Sequence, residues 1–297
     1  MTRRGDRRRQ GSNTPAARTV PAWLLPVAAV VIVAVVAVLL WNAQSTGGQT
    51  AWARLGTQDV HALAFVGGDP QRVLFGHHGG LLESGDGGRT WSPLPVRDDA
   101  MSMASADDGS IVIAGHEVFT ASRDGGATWA PVQTDLPSLD IHGFTRDPAD
   151  PARMWAYLAT GGLWESTDFG ARWIEVRPDN VLFPLAVRAA SMTRLLGVDT
   201  SGLVASDDGG RTWTTVGAPP TYPMTALAAT PDGSTIYAGS PDGVFSSADG
   251  GRSWQPTGYR GSAFAIATSP DGAAVAVVSR DTEFFRSSDR GATWPGP

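Results

Sequence analysis

The chain has 297 residues, 29 of them acidic, 23 basic residues that are all Arg, and no Cys, for a net charge of −6. Six of the Arg but only one acidic residue, Asp6, fall in the first 20 positions, so a tail of +5 precedes a body of −11. An acidic body lacks the basic face that phosphate binding needs, which excludes nucleic acid as its main ligand, and the absence of Cys excludes disulfide staples and thiolate chemistry.

Residues 1–21 form the Arg-rich tail, with Arg3, Arg4, Arg7, Arg8, Arg9 and Arg18. The run from Trp23 to Trp41 then holds nineteen residues without a charge, about enough helix to cross ~30 Å of hydrocarbon. A transmembrane helix is therefore expected over 22–41. Its Trp residues suit the two interfaces, and Pro26 falls in the first turn, where no intrahelical bond is lost. A cleavable signal peptide is the rival, but its apolar region is usually ~7–15 residues and its cleavage site wants small residues, whereas cleavage after Ala43 would put Trp41 at −3. Positive residues before the span place the N-terminus in the cytoplasm and the acidic body outside the cell membrane. Residues 42–50, NAQSTGGQT, read as a polar linker to a domain over 51–297.

That domain repeats. The pattern S-x-D-x-G-x-x-W occurs six times, placing Asp86, Asp124, Asp168, Asp208, Asp249 and Asp289 ahead of Trp91, Trp129, Trp173, Trp213, Trp254 and Trp294. The Trp spacings are 38, 44, 40, 41 and 40 residues. A period near 40 without long amphipathic helices is that of a four-stranded propeller blade. Each unit carries the strand-and-turn grammar this requires, as in VHALAFV, GGDPQ, RVLFG, HHGG, LLES, DGGR and TWSPL. The last box ends three residues before the C-terminus, and TAWARLG precedes the first unit without a box of its own. Ala51 to Leu55 should thus supply the outer strand of the sixth blade, closing an all-β, six-bladed β-propeller of four-stranded blades.

The motif resembles the Asp-box, or BNR, repeat from about Trp52 to Trp294. The resemblance implies a propeller similar to those of sialidases, sortilin-type receptors and photosystem II assembly factors. Nearest in texture are bacterial membrane-attached proteins described as glycosyl hydrolases, with segments such as GHHGGLLES and GGLWESTDFG. Such a motif specifies a fold and hardly an activity. The box Asp residues read as structural, since identical turns on six blades do not converge on one substrate, and the box Trp residues read as packing.

Sialidase chemistry would require an Arg cluster, a Tyr–Glu pair and an acid Asp. The first inner strand, VHALAFV, has no Arg, and Tyr157, Tyr222, Tyr237 and Tyr259 pair with no Glu by register. No catalytic set is identifiable, although another two-carboxylate glycosidase stays open. Trp155 and Tyr157 are weighed as stacking groups for a ligand.

All five His lie in the first three units. His61 and His142 open inner strands, with Met101 at the matching position of the second unit, while His77, His78 and His116 follow second strands. In a propeller these positions gather on one sector of one face, opposite the boxes. Imidazoles with a Met suit copper, and imidazoles with a carboxylate suit zinc. The sequence thus points to a membrane-anchored extracytoplasmic propeller that recognises or scaffolds an envelope protein or glycan. Glycoside hydrolysis and copper or zinc binding are the alternatives.

Overall fold

The computed structural model describes residues 49–297 other than Ala190. The tail over 1–21, the helix over 22–41 and most of the linker over 42–50 lie outside the described residues. Among the described residues no helix is long and apolar enough to cross a membrane.

Among the described residues twenty-four strands form six antiparallel four-stranded sheets, each a blade. In blade 1 the strands run from the axis outward as Ala62–Val66, Asp69–His77, Gly80–Ser84 and Ser92–Pro93. Blades 2 to 5 repeat this order, beginning at Ser102, Ile141, Leu182 and Ala226. Blade 6 takes Ala265–Thr268, Val275–Val278 and Glu283–Ser287 from the end of the chain and its outer strand, Ala53–Arg54, from the beginning. The closure expected from the sequence is therefore present. Val73–Phe75 and Ile111–Ala114 are continuously buried, because second strands are covered on both sides by neighbouring blades.

The core is six clusters, one at each junction between blades, and each includes one box Trp. Trp91 of blade 1 packs with Phe284 of blade 6, and Trp173 of blade 3 with Phe119 of blade 2, as edge-to-face pairs at 5.2 and 5.9 Å. Trp129, Trp213, Trp254 and Trp294 occupy the other four junctions. The indole N–H closes back on the turn in five blades, as from Trp213 to the Gly210 carbonyl at 2.8 Å.

The boxes are turns held by their own side chains. In blade 4 the Ser206 hydroxyl donates to Asp208 Oδ1 at 2.8 Å and accepts the Gly210 N–H, while the Thr212 N–H and hydroxyl donate to the same carboxylate. The motif glycine has φ between 85° and 104° in all six turns. At Gly88 a Cβ would come within 2.0 Å of the Phe284 ring of the adjoining blade, so sterics as well as φ demand glycine there. The Asp of each turn is engaged in the turn's own hydrogen bonds.

Candidate functional site

The inner strands enclose an axial cavity of about 520 Å³. Its wall includes Leu63, Phe65, Met103 and Phe144, and His61, Met101 and His142 stand where inner strands begin. The boxes lie on the opposite face, where second strands start: the Gly87 N–H donates to the Gln71 carbonyl at 2.8 Å.

Four of the five His form an arc along the first face, across blades 1 to 3. Two repeats of one interaction position it. Asp59, just before the inner strand of blade 1, accepts the backbone N–H of His78 at 3.0 Å and lies 2.7 Å from its Nδ1. Asp99, the equivalent residue of blade 2, faces the backbone N–H of His116 at 3.4 Å and its Nδ1 at 2.7 Å. Each carboxylate thereby clamps the turn between the second and third strands of its own blade. Blade 3 has Thr160 where that His would be, and Asp140 Oδ1 instead meets its own His142 Nε2 at 3.0 Å.

Between blades the arc continues. His61 Nε2 lies 3.1 Å from His78 Nδ1, 3.7 Å from Asp59 Oδ1 and 3.9 Å from Asp99 Oδ1. His78 Nε2 is 3.9 Å from Asp99 Oδ2, and His116 Nε2 is 3.6 Å from Asp140 Oδ1. Three sets of donor atoms therefore cluster within 4.8 Å: Asp59, His61 and His78; His78, Asp99 and His116; and His116, Asp140 and His142. Asp99 is the most enclosed of the carboxylates, and its Oδ1 is buried with no hydrogen-bond partner.

Burial would raise the Asp59 carboxyl, but the backbone N–H and ring of His78, with His61 nearby, pull it below the usual range. Burial holds His61 below the ordinary imidazole value despite Asp59, which favours the neutral form that binds metals. The hydrogen bond to Asp59 raises His78.

His77 stands apart from the arc. It ends the second strand of blade 1, its ring stacks on Phe75 two residues earlier at 6.1 Å, and its Nδ1 accepts the Gly79 N–H. Period two along a strand sends its ring to the Phe75 side, whereas His78 is already in the turn. Met101 lines the cavity, as His61 and His142 do. Trp155 and Tyr157, weighed as stacking groups, are packed away: Trp155 is fully buried and donates to the Gly209 carbonyl of blade 4 at 3.0 Å.

Asp59, Asp99 and Asp140 were not singled out from the sequence, yet a signal existed. Each lies two residues before His61, Met101 or His142, so the inner strands of blades 1 to 3 open with D-x-H, D-x-M and D-x-H.

No protein-family model matches the chain, and no curated protein matches it significantly. Among solved structures it is similar to the GH74 enzyme of Niastella koreensis, with a TM-score of 0.54 and 20% identity over 80% of this chain and 46% of that one. It is also similar to YCF48 from Cyanidioschyzon merolae, with a TM-score of 0.52 and 17% identity over 83% of this chain and 88% of that one. A structure of YCF48 bound to a D1 peptide aligns with a TM-score of 0.51 and 18% identity over 82% of each chain. The chain spans less than half the length of the GH74 enzyme. At these identities the likeness defines a propeller fold, shared with GH74 enzymes and YCF48.

Proposed function

We propose that the chain is a membrane-anchored, extracytoplasmic propeller of the Asp-box type that recognises a polypeptide partner in the cell envelope, and that the partner enters the axial cavity from the face bearing the histidine arc. The observation that carries this reading is the cavity itself: inner strands line it with apolar side chains such as Leu63, Phe65 and Phe144 and with polar ones such as Ser102, Thr145 and Thr225, and His61 and His142 stand where those strands begin. A concave wall with oriented polar groups suits a side chain or short extended segment. The YCF48 structure with its D1 peptide supports a protein partner by analogy of fold. The charge-free run from Trp23 to Trp41 and the Arg-rich residues before it support a single span with a cytoplasmic N-terminus.

Glycoside hydrolysis is the rival, drawn from the GH74 likeness. It needs a carboxyl held protonated and a second carboxylate opposite it. The cavity wall includes two carboxylates, Asp107 and Asp147. Asp147 Oδ1 is occupied by the Thr193 hydroxyl at 2.6 Å and the Ala149 N–H at 2.8 Å.

The test uses the full chain in detergent against a displayed peptide library, in parallel with xyloglucan and chromogenic glycosides. Peptides should be enriched, and the Ser102→Trp variant, which adds bulk at a half-buried position of the cavity wall, should lose them, with folding checked by melting. Absence of enrichment, or glycoside turnover abolished by Asp147→Asn, would overturn the reading.

A further inference from the structure

The histidine arc contains more lone pairs than protons to share among them. If His78 Nδ1 carries a hydrogen, Asp59 Oδ2 at 2.7 Å takes it, and His61 Nε2 at 3.1 Å is left pointing at a donor already used. If it carries none, it and Asp59 Oδ2 are two acceptors 2.7 Å apart, with only a His61 N–H to serve them. At Asp140 Oδ1 two imidazole nitrogens also converge, His142 Nε2 at 3.0 Å and His116 Nε2 at 3.6 Å, and with His116 Nδ1 donating to Asp99 Oδ2 the neutral ring turns the lone pair of Nε2 toward the carboxylate. Between them lies the buried Asp99 Oδ1 without a partner. A metal ion shared by the converging atoms would satisfy these lone pairs together, as protonation would satisfy them one ring at a time.

We propose that the arc holds two zinc ions, one bound by Asp59, His61 and His78 and the other by His116, Asp140 and His142. These two sets share no residue, whereas the middle set borrows one His from each. Donors on a tetrahedral zinc at ~2.0–2.1 Å lie roughly 3.3 Å apart. In the first set His78 Nδ1 lies 3.1 Å from His61 Nε2 and 2.7 Å from Asp59 Oδ2, while His61 Nε2 lies 3.7 Å from the other oxygen, Asp59 Oδ1; in the second, Asp140 Oδ1 lies 3.0 Å from His142 Nε2 and 3.6 Å from His116 Nε2. Both are within a small side-chain adjustment of that spacing. Two neutral imidazoles and one carboxylate are a borderline nitrogen and oxygen set suited to zinc, and three protein ligands leave a fourth position for water or an incoming donor.

Asp99 is the positioning residue. Its Oδ2, 2.7 Å from His116 Nδ1, fixes the tautomer that turns Nε2 toward Asp140 and His142. A carboxylate behind a metal-bound imidazole orients the ring and raises its basicity. His78, His116 and His142 are about half exposed, which gives an ion a path from solvent. The inference is independent of the peptide reading, since ions can be bound whether or not the cavity accepts a partner.

The test is equilibrium dialysis of the full chain in detergent, stripped with chelator and titrated with zinc chloride, followed by metal analysis. Two equivalents are expected. His61→Ala should remove one, His142→Ala the other, and the double variant both, with folding checked in each case by melting in chelator. Cobalt(II) loaded in place of zinc should give visible bands of tetrahedral intensity, halved in each single variant. Asp99→Asn should keep two equivalents but weaken the His116 site about 10–100-fold. Fewer than two equivalents in the wild type would overturn the proposal. So would variants that retain both.

Discussion

Ala53 pairs with Phe284 across the antiparallel seam of blade 6, joining the two ends of the domain in one sheet. Backbone bonds from Trp52 N–H to the Phe284 carbonyl and from Leu55 N–H to the Thr282 carbonyl flank the pair at 2.8 and 2.9 Å. The Trp52 indole donates to the Pro295 carbonyl at 2.9 Å, and the Arg89 guanidinium lies over its ring at 4.5 Å. Deleting residues 51–55 would expose the edge of Glu283–Ser287 and uncover Phe284. The deleted chain should lose its cooperative melting transition by circular dichroism. A transition like that of the intact chain would mean that the seam does not close the ring.

Glu165 carries a second junction. Its side chain is 2% exposed and accepts from Arg153 of its own blade at 2.6 and 2.8 Å and from Arg211 of blade 4 at 2.7 Å. Neutralising it leaves two guanidinium groups against one amide, so Glu165→Gln should cost about 3–5 kcal/mol in urea unfolding. Arg211→Met should cost about 1 kcal/mol or less, because that Arg is half exposed and Arg153 still neutralises the carboxylate. Equal losses from the two variants would contradict this account.

The blade count and the closure were legible because they rest on local signals. A box turn needs only its own Ser, Asp, Gly and Trp, so a match in sequence is nearly a match in structure. Glu165 with Arg211 was not legible, since the pairing depends on how far one blade's turn reaches onto the next. The histidine arc was half legible. Strand register collected His61, His78, His116 and His142 on one face, but Asp is too common for Asp59, Asp99 and Asp140 to stand out without the D-x-H alignment. His77 was grouped with His78 because adjacency in sequence hides the change from strand to turn between them. The anchor proposed over 22–41 lies outside the described residues and rests on hydropathy and flanking charge alone.

Trp213 and Trp254 occupy equivalent positions but differ in one hydrogen bond. Trp213 donates to the Gly210 carbonyl at 2.8 Å, whereas the Trp254 indole nitrogen is buried without an acceptor. Replacement by Phe removes similar area from both junctions. At Trp213 it also removes a bond worth about 0.5–1.5 kcal/mol, and at Trp254 it relieves an unsatisfied donor. Trp213→Phe should therefore be the more destabilising of the two in denaturant titration. The reverse order would show that ring packing, not the indole N–H, sets the difference.

The box carboxylates should govern stability in acid. At Asp208 the Thr212 hydroxyl and N–H, and at Asp249 the Ser253 hydroxyl and N–H, hold the carboxyl well below the usual range, outweighing a small opposing effect of burial. The Thr90 N–H and hydroxyl do the same for Asp86, and the Thr128 hydroxyl and N–H bring Asp124 to about 2. A carboxyl depressed in the folded state contributes stability that is complete above its unfolded value, ~3.9, and is lost as pH falls through the folded value. Stability should therefore decline from roughly pH 4 downward through the depressed folded values. Asp208→Asn keeps the shape of the turn but removes the charge that its donors favour. It should melt below the wild type at pH 7, with the gap narrowing as pH falls from about 5 to about 2, where the native carboxylate begins to protonate too. A gap that stays constant over that range would mean that the turn is held by shape and neutral hydrogen bonds alone.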